Sequence, residues 1–357
     1  MLIYYLDDRF PSRGCLVLNF FPARSYSNTN HIRMKKATYL LVCCLLALLY
    51  ACGPTDAPST ATEEPTETKT PEAISLDGRD LFPPPESPAG QQKKDSLLAI
   101  AQGNFDADAQ NLDNIIWLGR RLAYLSRYKE AIKVFTEGMI VHPNAPELYR
   151  HRGHRYISTR QFDQAIADFE KAASLAEGRD IEIEPDGLPN KLNIPLSSLQ
   201  FNIWYHWGLA YYLKGDFEKA AQLYEECMDY SINPDLLTAT TDWLYMTYRR
   251  LGKTAEAEQL LVPITADLEI IENNSYLNRL LMYKGEKSPT DLLDLNNTDP
   301  EQLLNIVTQG YGVGNWYLYN GDEAQAKAVF EKILATTYWS AFGYVAAEAD
   351  QVRLGTD

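Results

Sequence analysis

The stretch LDNIIWLGRRLAYLSRYKEAIKVFTEGMIVHPNA, residues 112–145, decides the fold. It places small residues at Gly119, Ala131 and Gly138, an aromatic ring at Phe135 and a proline at Pro143. The pattern returns 34 residues on, with Tyr149, Gly153, Tyr156, Phe162, Ala165, Phe169 and Ala172. It returns again as Trp204, Trp207, Gly208, Tyr211, Gly215, Phe217, Ala220 and Tyr224. Gly153 and Gly208 are 55 apart, so this junction carries 21 extra residues. Repetition at a fixed period of this length marks a stacked array whose units cover one another's apolar faces.

Residues 112–145 resemble a tetratricopeptide repeat (TPR), the 34-residue helix–turn–helix unit. The family wants small residues at positions 8, 20 and 27, an aromatic at 24 and proline at 32. Gly119, Ala131, Gly138, Phe135 and Pro143 fill those places. Positions 8 and 20 lie where the two helices cross, and only small side chains let the backbones approach there. A weaker fourth copy holds Leu244, Tyr248, Gly252, Ala257 and Leu261, and a fifth holds Gly314, Tyr317, Gly321, Ala326 and Phe330. The turn glycines Gly215, Gly252, Gly285 and Gly321 are spaced 37, 33 and 36, so Gly285 marks a degenerate unit between those copies. Residues 339–354, WSAFGYVAAEADQVRL, read as an amphipathic helix covering the last open face. The resemblance implies an all-α TPR-like solenoid of about five repeats, some degenerate, with a C-terminal capping helix and a disordered tether in front. An irregular α-solenoid with three true repeats is the alternative.

The N-terminal region reads differently. Residues 1–51 carry six basic and two acidic side chains, whereas the whole chain has a net charge of -15. Arg33, Lys35 and Lys36 precede the apolar run ATYLLVCCLLALLYA, residues 37–51. Fifteen residues fall short of the roughly 20 that a spanning helix needs. A basic start and a short apolar run ending in small residues form a signal peptide. Leu49-Tyr50-Ala51-Cys52-Gly53 resembles the lipobox of bacterial lipoproteins, with Tyr50 departing from the usual small residue. That resemblance implies lipidation of Cys52 and a membrane anchor. An ordinary signal peptide with an incidental cysteine, or an uncleaved anchor, are the alternatives. The expected organisation is an extension at 1–33 ahead of the initiator Met34, a signal peptide at 34–51, a lipidated Cys52 with a Pro/Thr/Glu-rich linker to residue 93, and the repeat domain at 94–357 with an insert at 178–200. A short helix is expected over residues 94–103. Pro54, Pro58, Pro65, Pro71 and Pro83 to Pro85 make the linker an extended spacer.

In TPR folds the first helix of each repeat lines a concave groove. Mapped by repeat position, that groove holds Arg120, Tyr124, Arg150, His154, Asn202, Tyr205, Tyr212, Arg249, Arg250, Tyr311, Asn315 and Tyr319. Tyrosine and arginine dominate protein interfaces, and the arginine fork pairs with carboxylates. The expected ligand is a peptide or protein segment of the bacterial envelope, with acidic groups suited to the arginines. The sequence does not match the Lys–Asn carboxylate clamp of co-chaperones. A small-molecule or glycan-binding lipoprotein with an aromatic pocket is the second reading; a closed pocket would favour it and an open groove would favour a peptide. The insert's Asp180, Glu182, Glu184 and Asp186 read either as a cation site or as a solvated acidic loop.

Catalytic patterns are missing. No HExxH, GxSxG, Walker A or Cys–His–Asn arrangement occurs. His151 and His154 stand three apart without a third ligand, so neither a metal nor a cofactor is expected. The acidic balance argues against nucleic acid, because phosphate binding needs a basic face. Cys227 is the one cysteine after Cys52, and its place in the third repeat points to core packing. The expected protein is a non-catalytic scaffold, anchored by lipid at the outer membrane and facing the periplasm.

Overall fold

The computed structural model describes residues 70–294 and 300–355. The extension 1–33, the leader 34–51, Cys52 and the linker to residue 69 lie outside the described residues. The linker ends earlier than its composition suggests. Two short strands, β1 (Ala73–Ile74) and β2 (Asp80–Leu81), pair antiparallel with Ala73 opposite Leu81. The Ser75 side chain closes their turn by accepting from the Arg79 amide at 2.7 Å. Ala73 and Leu81 are buried in the main core. The Trp339 indole donates to the Phe82 carbonyl at 2.6 Å, and the Glu348 carboxylate accepts from the Leu76 amide at 2.7 Å. Proline-rich composition misled here because these long-range partners repay the ordering entropy. Helix α1 (Pro88–Ala107) likewise begins ahead of residue 94, with Ser87 as N-cap and Pro88 in its first turn.

The repeats follow as helical hairpins. They are α2 (Leu112–Tyr124) with α3 (Tyr128–Val141), then α4 (Pro146–Ser158) with α5 (Phe162–Ala176), then α6 (Leu199–Lys214) with α7 (Phe217–Met228). The fourth pairs α8 (Pro234–Arg250) with the short α9 (Thr254–Leu260). The degenerate unit is α10 (Asn274–Tyr283) with the single turn α11 (Pro289–Leu292). The fifth repeat is α12 (Pro300–Tyr319) with α13 (Glu323–Leu334), and α14 (Phe342–Gly355) ends the described chain. Neighbouring helices pack in chain order, so the fold is an all-α TPR-like solenoid. Among the described residues no helix is long and apolar enough to cross a membrane.

The small positions do what the repeat pattern requires. A Cβ on Gly119 would meet the Phe135 ring at 2.4 Å, one on Gly153 the Phe169 ring at 2.9 Å, and one on Gly314 the Phe330 ring at 2.6 Å. Ala131, Ala165, Ala220, Ala257 and Ala326 are fully buried at the matching place on the second helices. Side chains larger than alanine would push the hairpins apart. The turns at Gly215, Gly252, Gly285 and Gly321 all adopt positive φ. Ser126 and Arg160 take the same left-handed geometry in the first two repeats, at φ 57° and 62°. Arg160 is held there by its partners: its guanidinium donates to Glu348 and to the Trp339 carbonyl, both at 2.8 Å.

The C-terminal helix covers more than the last repeat. It packs on α12 and α13, as a cap should, and it also reaches α6. The solenoid therefore curls until its end meets its middle.

Candidate functional site

The insert leaves α5 through Gly178, in the left-handed region at φ 73°, and returns at Ser198, the N-cap of α6. It is folded against the body. An isolated bridge joins Ile183 to Ser198, and the Leu199 amide donates to the Glu182 carbonyl at 2.8 Å. Asn190 staples the far turn, accepting from the amides of Leu192 and Ile194 and donating to the Glu272 carboxylate. Of the insert's four acidic residues, Glu184 pairs with Arg150 and Glu182 with Arg179, whereas Asp186 Oδ2 is buried without a partner among the described residues. Among the described residues no set of three His, Cys, Asp or Glu is arranged to hold a metal.

Three arginines of the first two repeats grip this segment. Arg120 donates to the Pro185 carbonyl at 2.8 Å while its guanidinium lies over Trp117. Arg121 donates to the Gly187 carbonyl at 2.9 Å. Arg150 pairs with Glu184 at 2.6 Å, and Asn202 donates to the same carboxylate. Arg150 also donates to His151 Nδ1 at 2.8 Å. Burial, reinforced by that arginine, holds His151 well below the usual imidazole range, so it stays neutral. Asp186 is pushed up to about 6, by burial first and by the Glu272 charge second.

Beneath the insert lies a cavity of about 120 Å³. Arg120, Tyr124, Arg150, Asn202 and Tyr205 all line it, so the structure brings together five of the twelve expected groove residues. The Tyr205 hydroxyl sits 2.9 Å from that of Tyr276 on α10. Arg155, Glu272, Asn273 and Tyr276 line the same space and were not anticipated from the sequence. Glu272, Asn273 and Tyr276 fall at and just before the degenerate unit, where no repeat position flags them.

The other expected groove residues do not face an open groove. His154 is core: its ring stacks on His206 at 4.5 Å and meets Phe342 at 5.2 Å. Tyr212, Arg250, Tyr311 and Asn315 are turned toward α14. Asp350 on that helix accepts from Arg250 at 2.9 Å and from the Tyr311 hydroxyl at 2.9 Å. The Tyr311 hydroxyl lies 2.7 Å from that of Tyr212, and Arg250 reaches Asn315 Oδ1 at 3.1 Å. Arg249 and Tyr319 form a half-buried rim, with the guanidinium 4.3 Å above the ring and bonded to Tyr245 and Asn320. The twelve expected groove residues therefore do not share one open groove. The insert fills its first half and α14 its second. Cys227 is buried in the core, and burial pushes its thiol up to about 12, so this thiol stays protonated at neutral pH.

Tetratricopeptide repeat family profiles match residues 146–178 and 201–233, the second and third hairpins. A curated relative, BBSome complex member BBS4 of Bos taurus, is 28% identical over 144 residues, covering 40% of this chain. The chain spans 23% of that relative's length. Solved structures that are similar include YrrB, described as a TPR protein with an unusual peptide-binding site, at 13% identity and a TM-score of 0.36, covering 66% of this chain and 90% of YrrB. The MamA protein is similar at 16% identity and a TM-score of 0.37, covering 56% of this chain and 88% of MamA. The chain carries tetratricopeptide repeats, and repeats of this kind generally build non-catalytic scaffolds for protein–protein interaction.

Proposed function

We propose that this protein is a non-catalytic interaction scaffold, held at a bacterial envelope membrane through lipidated Cys52, whose concave face takes an extended segment of a partner protein. The observation that carries this reading is how the insert lies on that face. Its backbone carbonyls at Pro185 and Gly187 meet Arg120 and Arg121, and its Glu184 side chain meets Arg150 and Asn202. A face that grips one extended acidic segment has the chemistry to grip another. The partner segment carries a carboxylate in the place of Glu184 and displaces the insert to reach it.

The test is crosslinking capture from native membranes with two variants. Glu184→Ala loosens the insert and raises capture of the partner, whereas Arg150→Ala removes the anchor and lowers it. Equal capture by both variants would exclude the concave face. Acyl labelling unchanged in Cys52→Ala would remove the anchor from the reading.

A second reading, a small-molecule-binding lipoprotein, is favoured by the cavity of about 120 Å³ that the insert encloses. Its arginine and tyrosine lining suits a polar ligand with a small apolar body.

A further inference from the structure

Arg155 on α4 faces the cavity and is 6% exposed. Arg150 beside it is bound to Glu184, and Arg120 to the insert backbone. Arg155 has no such partner: among the described residues its guanidinium makes neither a hydrogen bond nor an ion pair, and the Tyr128 ring lies 5.5 Å away. Burial pulls its pKa down to about 10, so it remains charged at neutral pH. A buried charge without a counter-charge is costly, and a guanidinium has five donors to satisfy. The buried Arg150 Nε is also unpartnered. One guanidinium without a counter-charge and one spare N–H of its paired neighbour thus meet at one small space.

The other wall limits what fits. Glu184, Asp186 and Glu272 line the cavity as well. Glu184 is engaged by Arg150, and Glu272 accepts from Asn190. Their presence disfavours a ligand carrying two negative charges, such as phosphate at neutral pH. Phe135, Phe201, Leu236 and Ala239 supply apolar lining. A cavity of about 150 Å³ holds benzene, so one of this size takes a ligand of about five or six heavy atoms.

We propose that this cavity binds a small monocarboxylate, whose carboxylate is held by Arg155 and whose short apolar body lies against Phe135 and Ala239. The proposal rests on the small-molecule reading above, and it names the ligand class. Its planar fork suits Arg155 to a carboxylate rather than to a neutral hydroxyl.

The experiment is calorimetric titration of the complete chain at neutral pH with propionate, lactate, inorganic phosphate, maltose and an acetylated tripeptide. Propionate or lactate should saturate at one per chain. Arg155→Met should weaken that binding about tenfold or more. The same variant should keep the thermal midpoint of the ligand-free protein, because it removes an uncompensated buried charge. Ala239→Leu fills the cavity and should block the same ligands without touching Arg155. Binding that survives both substitutions would overturn the assignment. So would preference for the tripeptide or phosphate over the small acids. Saturable maltose without carboxylate binding would overturn the ligand class and leave the small-molecule reading standing; silence from every probe would end both.

Discussion

Arg250 and Asp350 are one hundred residues apart in the chain and 2.9 Å apart in the structure. The carboxylate is fully buried and also accepts from Tyr311 and from Arg353. One side chain on α14 therefore joins the end of α8 to the middle of α12 across the concave face. Removing it leaves Arg250 without its charge partner in a mostly buried place. Asp350→Ala should cost about 3–5 kcal/mol in urea denaturation. A loss below about 1 kcal/mol, typical of surface pairs, would mean that α14 is not clasped through this residue.

Two glycines test the packing with opposite signs. A Cβ on Gly343 would lie 2.4 Å from the Val307 carbonyl oxygen, a backbone atom that cannot swing aside. Gly343→Ala should destabilise by about 1–3 kcal/mol, because α14 must back away from α12. Gly103 lies on the exposed side of α1 with nothing near its missing Cβ. Gly103→Ala should stabilise by about 0.4–1 kcal/mol by narrowing the unfolded ensemble. Thermal midpoints in the reverse order would contradict the placement of α14.

Acid should unfold the protein through its interior. Burial holds His151, His154 and His206 well below the ordinary value of 6.5, helped by Arg150 at His151 and His206 and by Arg155 at His154. A depressed folded pKa contributes stability that is present above the unfolded value and lost as pH falls below it. Each histidine should remove about 1.4 kcal/mol per pH unit once pH is well under 6.5. Asp186 acts in the opposite direction, since its pKa is raised to about 6, and burial also raises the carboxyls of Glu147, Asp168 and Asp242. The effect of Asp186 disfavours folding as pH rises from 3.8 to about 6. The net expectation is a loss of stability between pH 6.5 and 5, measured by denaturant titration at each pH. His154→Phe, between the rings of His206 and Phe342, should make that decline shallower by one proton.

The insert should be separable from the fold beneath it. A Cβ on Gly187 would fall 1.7 Å from the Tyr124 hydroxyl and 2.8 Å from Arg120. Gly187→Val should therefore lift the segment while the hairpins, held by their own core, remain. Trypsin should cut at Lys191 faster in the variant than in the wild type, with the thermal midpoint changed little. Unchanged cleavage would mean that Gly187 is not where the insert is seated.

The repeat hairpins were legible because their contacts recur at a constant spacing. Gly119 and Phe135 meet within one unit, as Gly153 and Phe169 do, so a period in the sequence is a contact in the structure. The turn at Gly215 could be read in the same way, whereas Ser126 and Arg160 hide the same geometry behind residues that rarely adopt it. Of the twelve expected groove positions five line the cavity beneath the insert, whereas His154 is core and Tyr212, Arg250, Tyr311 and Asn315 turn toward α14.

The stacked helical hairpins are written locally, because each is specified by the spacing of its small and aromatic residues. That the concave face is occupied emerges only from the folded contacts, with Glu184 on Arg150 in one half and Asp350 on Arg250 in the other. The small rotation between successive repeats accumulates until α14 reaches α6, and no periodic pattern records that sum. The ion pairs that seal the closure join residues 34 and 100 positions apart. Charge partners at such separations become visible only when the chain has brought them together.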